Sequence, residues 1–436
     1  MPASSFSREY GAPETYRWTI GLLLGLGVLV NYFDRVNLSV SHDALVTSFG
    51  ITPAVFGQLS AAYSWTYAAC QLPTGVVLDA FGVRRVSLVS ICIWGVASAA
   101  AAFAPGVLFF FAARLLLGIG EAPTFPANAK AVGAWFPASE RSLATALFDG
   151  SAKLANAVGV PLLGLLLLRV GWRMSFGFTA AISFSYLLLF ALLYREPHRF
   201  SMRDVVLQQD SEGDPQASLA PPLPLGALMR QRRIIGLAIG SGAYNYVFYL
   251  LLTWLPTYLS QALHIPLRQS FLFTGAPWLF AAFCGLFIGG FLVDGLIRRG
   301  YSAPRVRRAV LLGGTVCGLG IAGAIFAHDA RTALLPISLA IGGLSAASPV
   351  LWSMPSLLVP NSSTGKVGGI MNFSNQISAI AAPILTGITV QRTHGYTWAF
   401  GIAAVYLVVG ILAYVFLLGP LVPLRIAVDD DEARVV

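Results

Sequence analysis

The chain has 436 residues, of which 56% are hydrophobic and 11% charged, with a net charge of +9. Soluble domains carry about 25% charged residues, so this composition excludes a water-soluble globular protein and implies a chain that crosses a bilayer many times. A basic balance would suit nucleic acid, but the placement of the charges argues against that partner.

Residues 1–16 are polar and lack a signal-peptide cleavage pattern, so the first span is expected to stay in place as a helix. Apolar runs of roughly 20 residues or more, the length that crosses a bilayer, lie near 18–40, 53–76, 86–104, 106–129, 142–168 and 172–194. A second set lies near 234–259, 270–296, 308–327, 332–358, 367–391 and 396–419. Helices are the expected solution, because in lipid each backbone group must be satisfied within its own segment. The stretch between the sets, 196–233, is rich in Pro, Ser, Gln and charge, and reads as a solvated linker with room for a short surface helix.

The predicted fold is therefore an all-α membrane protein, with twelve transmembrane helices in two pseudo-symmetric six-helix bundles around a central cavity. The expected parts are a cytoplasmic N-terminal segment 1–17, a bundle over 18–195, a cytoplasmic linker 196–233, a bundle over 234–420 and a cytoplasmic tail 421–436. A trace of repetition agrees: GVVLDAFGVRR follows span 2 and GGFLVDGLIRRG follows span 8, the same place in each set of six.

With the N-terminus inside, 20 of the 28 Lys and Arg residues fall in cytoplasmic segments, five fall outside and three lie within spans. That bias satisfies the positive-inside rule and also checks the span count, since a missed helix would invert the later loops. The basic charge is thus a topology signal, and no nucleic-acid partner is expected. The four cysteines sit in apolar stretches without metal-ligand or disulfide spacing, and the histidines lie near loops or span ends.

A charge at the bilayer centre costs roughly 2.5–3.5 kcal/mol on insertion scales. This chain nevertheless carries Asp34 and Arg35 in span 1, Arg114 and Glu121 in span 4, and Asp149 and Lys153 in span 5. Adjacent helical residues point about 100° apart, so Asp34 and Arg35 face different directions. Arg114 and Glu121, two turns apart, share a face. Asp149 and Lys153 are four apart with the acid N-terminal, the better order for an ion pair, and a purely structural pair there is as reasonable as a functional one. Glu121 sits in GIGEAPTFPAN, where Pro123 and Pro126 interrupt the helix, and broken helices near mid-bilayer mark binding sites.

Arginine keeps its proton and its planar fork matches a carboxylate in two hydrogen bonds, which makes Arg35 the first candidate for an anionic substrate. Carboxylates in a poorly solvated cavity resist ionisation, so Asp34 and Glu121 can take protons outside and release them inside. Tyr63, Tyr67 and Gln71 form a stripe on span 2, and Asn372, Asn375 and Gln376 share a face of span 11. Asn245, Tyr246 and Tyr249 in span 7 and Trp352 in span 10 can complete a wall. Amides and hydroxyls suit sugar hydroxyls, although each of these residues can equally serve as glue between helices. Asp79, Arg84 and Arg85 at an inner helix end are either positive-inside anchoring or a charge latch for one conformation.

GVVLDAFGVRR resembles the loop signature of the major facilitator superfamily. NYFDRVNLSV, with RLLLGIGEAPTFPANAKAVGAWFPASERSLATALF, resembles its anion:cation symporter branch, which includes bacterial hexonate, hexuronate and glucarate importers, animal sialin and vesicular glutamate carriers. The resemblance runs from about residue 15 to about residue 420. It implies that Asp34 and Glu121 carry protons, that Arg35 binds the substrate carboxylate, that Arg114 supports the acid or gate, and that Tyr32, Tyr67, Trp352 and Asn372 line the substrate. Sugar-acid members carry a neutral polar residue near Lys153. A lysine there either meets a second carboxylate or is neutralised by Asp149.

The resulting expectation is a proton-coupled secondary transporter that imports an organic anion, a sugar acid first (aldonate, hexuronate or aldarate), by alternating access. It would work as a monomer, without cofactor or metal, in a bacterial inner membrane with both termini cytoplasmic. The lack of an N-glycosylation acceptor in any outer loop favours the bacterial setting. Import or exchange of a non-sugar mono- or dicarboxylate, tartrate-like or aromatic, is the neighbouring alternative, as is export on the same fold. A membrane enzyme would want a nucleophile–base set or metal ligands at a membrane face, which the sequence does not offer. A non-transporting receptor would want a soluble output domain larger than the 196–233 linker.

Overall fold

The computed structural model describes residues 14–136, 138–196, 223–359 and 361–419. Most of the N-terminal segment and of the linker, and all of the C-terminal tail, lie outside the described residues. Among the described residues the chain is helical throughout: α1 (Glu14–Val40), α2 (His42–Phe49), α3 (Pro53–Ala102), α4 (Val107–Glu121), α5 (Thr124–Trp135), α6 (Ala138–Leu193), α7 (Leu225–Arg230) and α8 (Arg232–Thr257). There follow α9 (Leu267–Cys284), α10 (Val293–Arg298), α11 (Ala303–Gly318), α12 (Ala330–Leu358), α13 (Asn361–Thr393) and α14 (Thr397–Leu412). Wider or tighter turns extend α8 to Ala262, join α9 to α10, carry α11 to Phe326 and finish α14 at Leu418. The short α7 stands where the linker was expected to leave room for a surface helix.

Nine helices among the described residues are long and apolar enough to cross a membrane, or ten if the bent pair α2–α3 is one span. Two elements are far longer than one crossing: α3 has 50 residues and α6 has 56. Each is broken at one glycine with positive φ, Gly82 (φ 77°, ψ 167°) and Gly171 (φ 81°, ψ 168°), a conformation open to glycine at little cost. The span pattern predicts multi-residue loops at both points; a single glycine turns the chain instead. Counting both elements as two spans, with α4–α5 as one, gives a number that fits twelve.

Burial separates inner from outer helices. The most apolar windows of α1 and α8 are 78% and 72% buried, whereas those of α9–α10, α11 and α14 are 28–33% buried and present apolar side chains outward, as lipid contact requires. Small residues let the inner helices close up: an added Cβ at Gly27 in α1 would strike the Tyr186 ring of α6, and one at Gly159 in α6 would lie 3.0 Å from Phe33. The N-terminus of α12 is closed by a capping box between Asp329 and Thr332, and those donors hold the exposed Asp329 carboxyl below its usual range.

The two halves cross tightly where α3 meets α13. Each helix carries Pro-x-x-x-Gly there, Pro53–Gly57 and Pro383–Gly387. A Cβ added at Gly57 would strike the Pro383 carbonyl oxygen, and one at Gly387 would strike that of Pro53. The charge bias assigns this end to the outside. At the same end Ser39 Oγ donates to the Thr253 carbonyl at 2.9 Å and Gln261 Nε2 donates to Asp43 at 2.7 Å. At the opposite end of α13, an added Cβ at Gly365, Gly368 or Gly369 would meet nothing within 4 Å. Gly57→Val is therefore expected to hold the closed end apart, with faster alkylation of Ser39→Cys by an impermeant maleimide. Unchanged labelling would show the crossing to be slack.

Candidate functional site

Asn31, Tyr32, Asp34 and Arg35 occupy one turn of α1, the most enclosed helix, and all four are buried. Glu121 is the last residue of α4, fully buried, just before the Ala122–Pro123 turn from which α5 restarts at Thr124. The interruption falls where the prolines predict it. Pro126 has no N–H, which frees the Ala122 carbonyl four residues earlier, and Gln71 Nε2 of α3 points to that oxygen at 3.5 Å.

Arg35 and Glu121 meet. Nε and Nη2 of Arg35 both lie 3.0 Å from Glu121 Oε2, and Nη2 also donates to Asn31 Oδ1 at 3.0 Å. The guanidinium lies over three phenol rings, 4.3 Å from the centroid of Tyr32, 4.6 Å from Tyr63 and 5.6 Å from Tyr67. A planar, weakly hydrated cation gains from such faces when water is excluded. A buried ion pair needs this density of partners to offset desolvation.

Asp34 looks elsewhere, as the 100° offset requires. Its Oδ1 accepts from Ser98 Oγ of α3 at 2.6 Å, and its backbone carbonyl faces Arg114 Nη1 at 3.5 Å. Arg114 in turn lies 5.6 Å from the Tyr63 ring. Tyr63 is thus the common neighbour of both guanidinium groups. A cavity between the halves is lined by Arg35, Ser39, Tyr63, Arg114, Tyr249 and Thr253, among others. Neither Asp34 nor Glu121 lines that cavity; the Glu121 carboxylate stands behind Arg35.

The other residues singled out in the sequence are distributed around this centre. Lys153 Nζ pairs with Asp149 Oδ2 at 2.7 Å within α6. Asn372 Nδ2 donates to Gln71 Oε1 across the two halves at 3.3 Å. Asn375 packs on the Ser241 hydroxyl inside the C-terminal half, and Asn245 Nδ2 donates to the Ser241 carbonyl at 3.2 Å. Gln376 is buried, and Trp352 is 49% exposed. Asp79 pairs with Lys130 Nζ at 2.6 Å, while Arg84, turned away by the Gly82 break, donates to the Tyr194 and Ala191 carbonyls at 3.0 and 2.9 Å. The exposed Arg85 stands beside it. The trio Asp79, Arg84 and Arg85 is therefore divided between two contacts.

Ser98 carries no signal in the sequence because it is one hydroxyl ahead of a run of alanines, SAAAAF; only the rotation of α3 against α1 gives it a partner. Removing a donor from a buried carboxylate costs about 1–3 kcal/mol. Ser98→Ala is expected to lower Tm while Ser98→Thr keeps it, checked by thermal unfolding in detergent. Equal Tm values for all three would mean the contact carries no energy. Among the described residues no group of three or more His, Cys, Asp or Glu side chains can hold a metal ion.

The Major Facilitator Superfamily profile matches residues 24–383. The chain is 36% identical to the uncharacterized transporter YybO of Bacillus subtilis, over 93% of this chain and 95% of that one. It is 32% identical to a probable sulfoacetate transporter, SauU, of Cupriavidus necator, covering 94% and 96%. It is 30% identical to a D-galactonate transporter of Escherichia coli, covering 93% and 96%. Among solved structures, a bacterial homolog of the human lysosomal transporter Spinster, inward-facing and unoccupied, superposes with a TM-score of 0.74 at 16% identity, covering 92% and 97%. The D-xylose-proton symporter does so with 0.70 at 16% identity, covering 92% and 98%, and both matches speak for the fold alone. A multi-pass helical chain, closed at one end by a crossing of its halves and carrying buried charges at their meeting, thus belongs to the Major Facilitator Superfamily of transporters and is not an enzyme.

Proposed function

We propose that this chain imports an organic anion, a sugar acid, together with protons. The observation that carries the reading is the Arg35–Glu121 pair: the fork that would hold a substrate carboxylate is held by a carboxylate of the protein, 3.0 Å away. A proton on Glu121 releases the fork. An incoming carboxylate then replaces Glu121 without leaving the buried cation unpaired, a state that would cost about 3–5 kcal/mol. Substrate and proton therefore bind together, which is symport. The fit to sugar acids draws support from relatives named for D-galactonate and for galactarate/D-glucarate, and from the hydroxyl and amide groups around the fork.

In this cycle Asp34 and Glu121 take protons and Arg35 receives the carboxylate. Tyr32, Tyr67, Asn245, Trp352, Asn372 and Lys153 face the rest of the acid. Arg114 and Asp149 balance charge, and Asp79, Arg84 and Arg85 bind one conformation. The halves 18–195 and 234–420 rock about the site, in a bacterial inner membrane with both termini cytoplasmic, the chain acting as a monomer without cofactor. A shorter anion is the second reading, favoured by the 32% identity to the probable sulfoacetate transporter. The test is uptake of labelled galactonate by proteoliposomes under an imposed pH gradient, acid outside. Accumulation that collapses with a protonophore supports the proposal. Binding without net movement would favour a receptor, and movement indifferent to the gradient would favour an exchanger.

A further inference from the structure

Lys153 and Asp149 stand one turn apart on α6, with Nζ and Oδ2 2.7 Å apart; the lysine side chain is 7% exposed and the aspartate 43%. Both belong to the same turn, so the pair travels intact whatever the halves do. The Arg35–Glu121 pair differs: it joins α1 to α4. Tyr32 of α1, whose ring lies against Arg35, is an electrostatic neighbour of Asp149 too. Tyr244 of α8 neighbours both Asp149 and Lys153 from the other half. The fork and the α6 pair are therefore two polar poles of one region near the meeting of the halves.

Resting on the proposed function, we infer that Asp149 is a specificity-determining residue. By neutralising Lys153 in place it makes the carrier select acids with one anionic group and a hydroxylated remainder over acids with two. A second carboxylate or sulfonate brought to α6 meets Asp149, the more exposed partner, before it meets the buried ammonium, and like charges in contact are strongly disfavoured. A hydroxyl meets no such penalty, since it can donate to the carboxylate or accept from the ammonium.

The experiment compares matched acids that differ only in oxidation of the far end: galactonate with galactarate, and isethionate with sulfoacetate. Affinities are measured by calorimetry on purified protein at one pH. Wild type is expected to prefer the singly charged member of whichever pair it binds by at least about tenfold. Asp149→Asn exposes Lys153 and should move that ratio at least about tenfold toward the doubly charged member. Asp149→Asn with Lys153→Gln, which lacks both the repelling carboxylate and the attracting ammonium, should give a ratio between those of wild type and Asp149→Asn, and Lys153→Gln alone should keep the wild-type preference. Equal binding of both members by wild type, or an unchanged ratio in Asp149→Asn, overturns the inference. Binding confined to the sulfonate pair overturns the sugar-acid reading; the ratio within that pair then decides the role of Asp149 separately.

Discussion

Glu121→Gln is expected to abolish proton-driven accumulation while leaving exchange of labelled for unlabelled acid intact. The amide is isosteric, so the last turn of α4 and the Ala122–Pro123 turn keep their shape, and its oxygen can still face Arg35. What is lost is the charge that competes for the fork. In wild type the substrate carboxylate and the Glu121 carboxylate exclude each other at Arg35, so affinity should rise as pH falls and protons remove the competitor. In the variant there is no ionising competitor, and affinity should be high and flat with pH. The ligand-free variant should also be less stable, since an unpaired buried arginine costs about 3–5 kcal/mol, and addition of acid should raise its Tm more than that of wild type. Calorimetry across pH and vesicle uptake check these outcomes. A variant that still concentrates acid against its gradient would remove Glu121 as the carrier, and affinity that still climbs with acidity would place the proton elsewhere.

The charges stood out in the sequence for a simple reason: ionisable groups in apolar runs are costly, so Asp34, Arg35, Arg114, Glu121 and Lys153 were visible without coordinates, and all five are buried. The kink beside Glu121 was visible too, because Pro123 and Pro126 act locally on the backbone. Partnership was not visible. That Arg35 reaches Glu121 of α4 while Asp34 turns to Ser98 depends on how α1 is rotated against α3 and α4, and packing fixes that rotation. The same holds for Asp79, which pairs with Lys130 of α5, although Arg84 and Arg85 lie nearer in sequence. The Lys153–Asp149 pair could be read in advance because both residues share a helix. The single-residue turns at Gly82 and Gly171 escaped notice because glycine is common in this chain and its φ does not show in composition.

Arg35→Lys keeps the charge and is expected to weaken acid binding by about 10- to 100-fold, the loss of one charge-assisted hydrogen bond worth about 1.5–3 kcal/mol. The reason is shape. Arg35 places two nitrogens on one carboxylate oxygen, spares a contact for Asn31, and lays its plane against Tyr32, Tyr63 and Tyr67. An ammonium is a compact, strongly hydrated point charge with no plane to stack and no fork to present. Calorimetry of acid binding, with Tm of the ligand-free protein as control, separates recognition from folding: a lysine that still pairs with Glu121 leaves Tm near wild type while Kd rises. Unchanged affinity would mean that the acid docks away from the fork, and the Arg35–Glu121 contact would then hold α1 to α4 without gating anything. A fall in Tm matching the loss of affinity would mean that the fork is needed first to keep these helices together. The two results differ because protein and substrate carboxylates compete for the same three-nitrogen plane, and only a substrate that needs the plane itself distinguishes a fork from a charge.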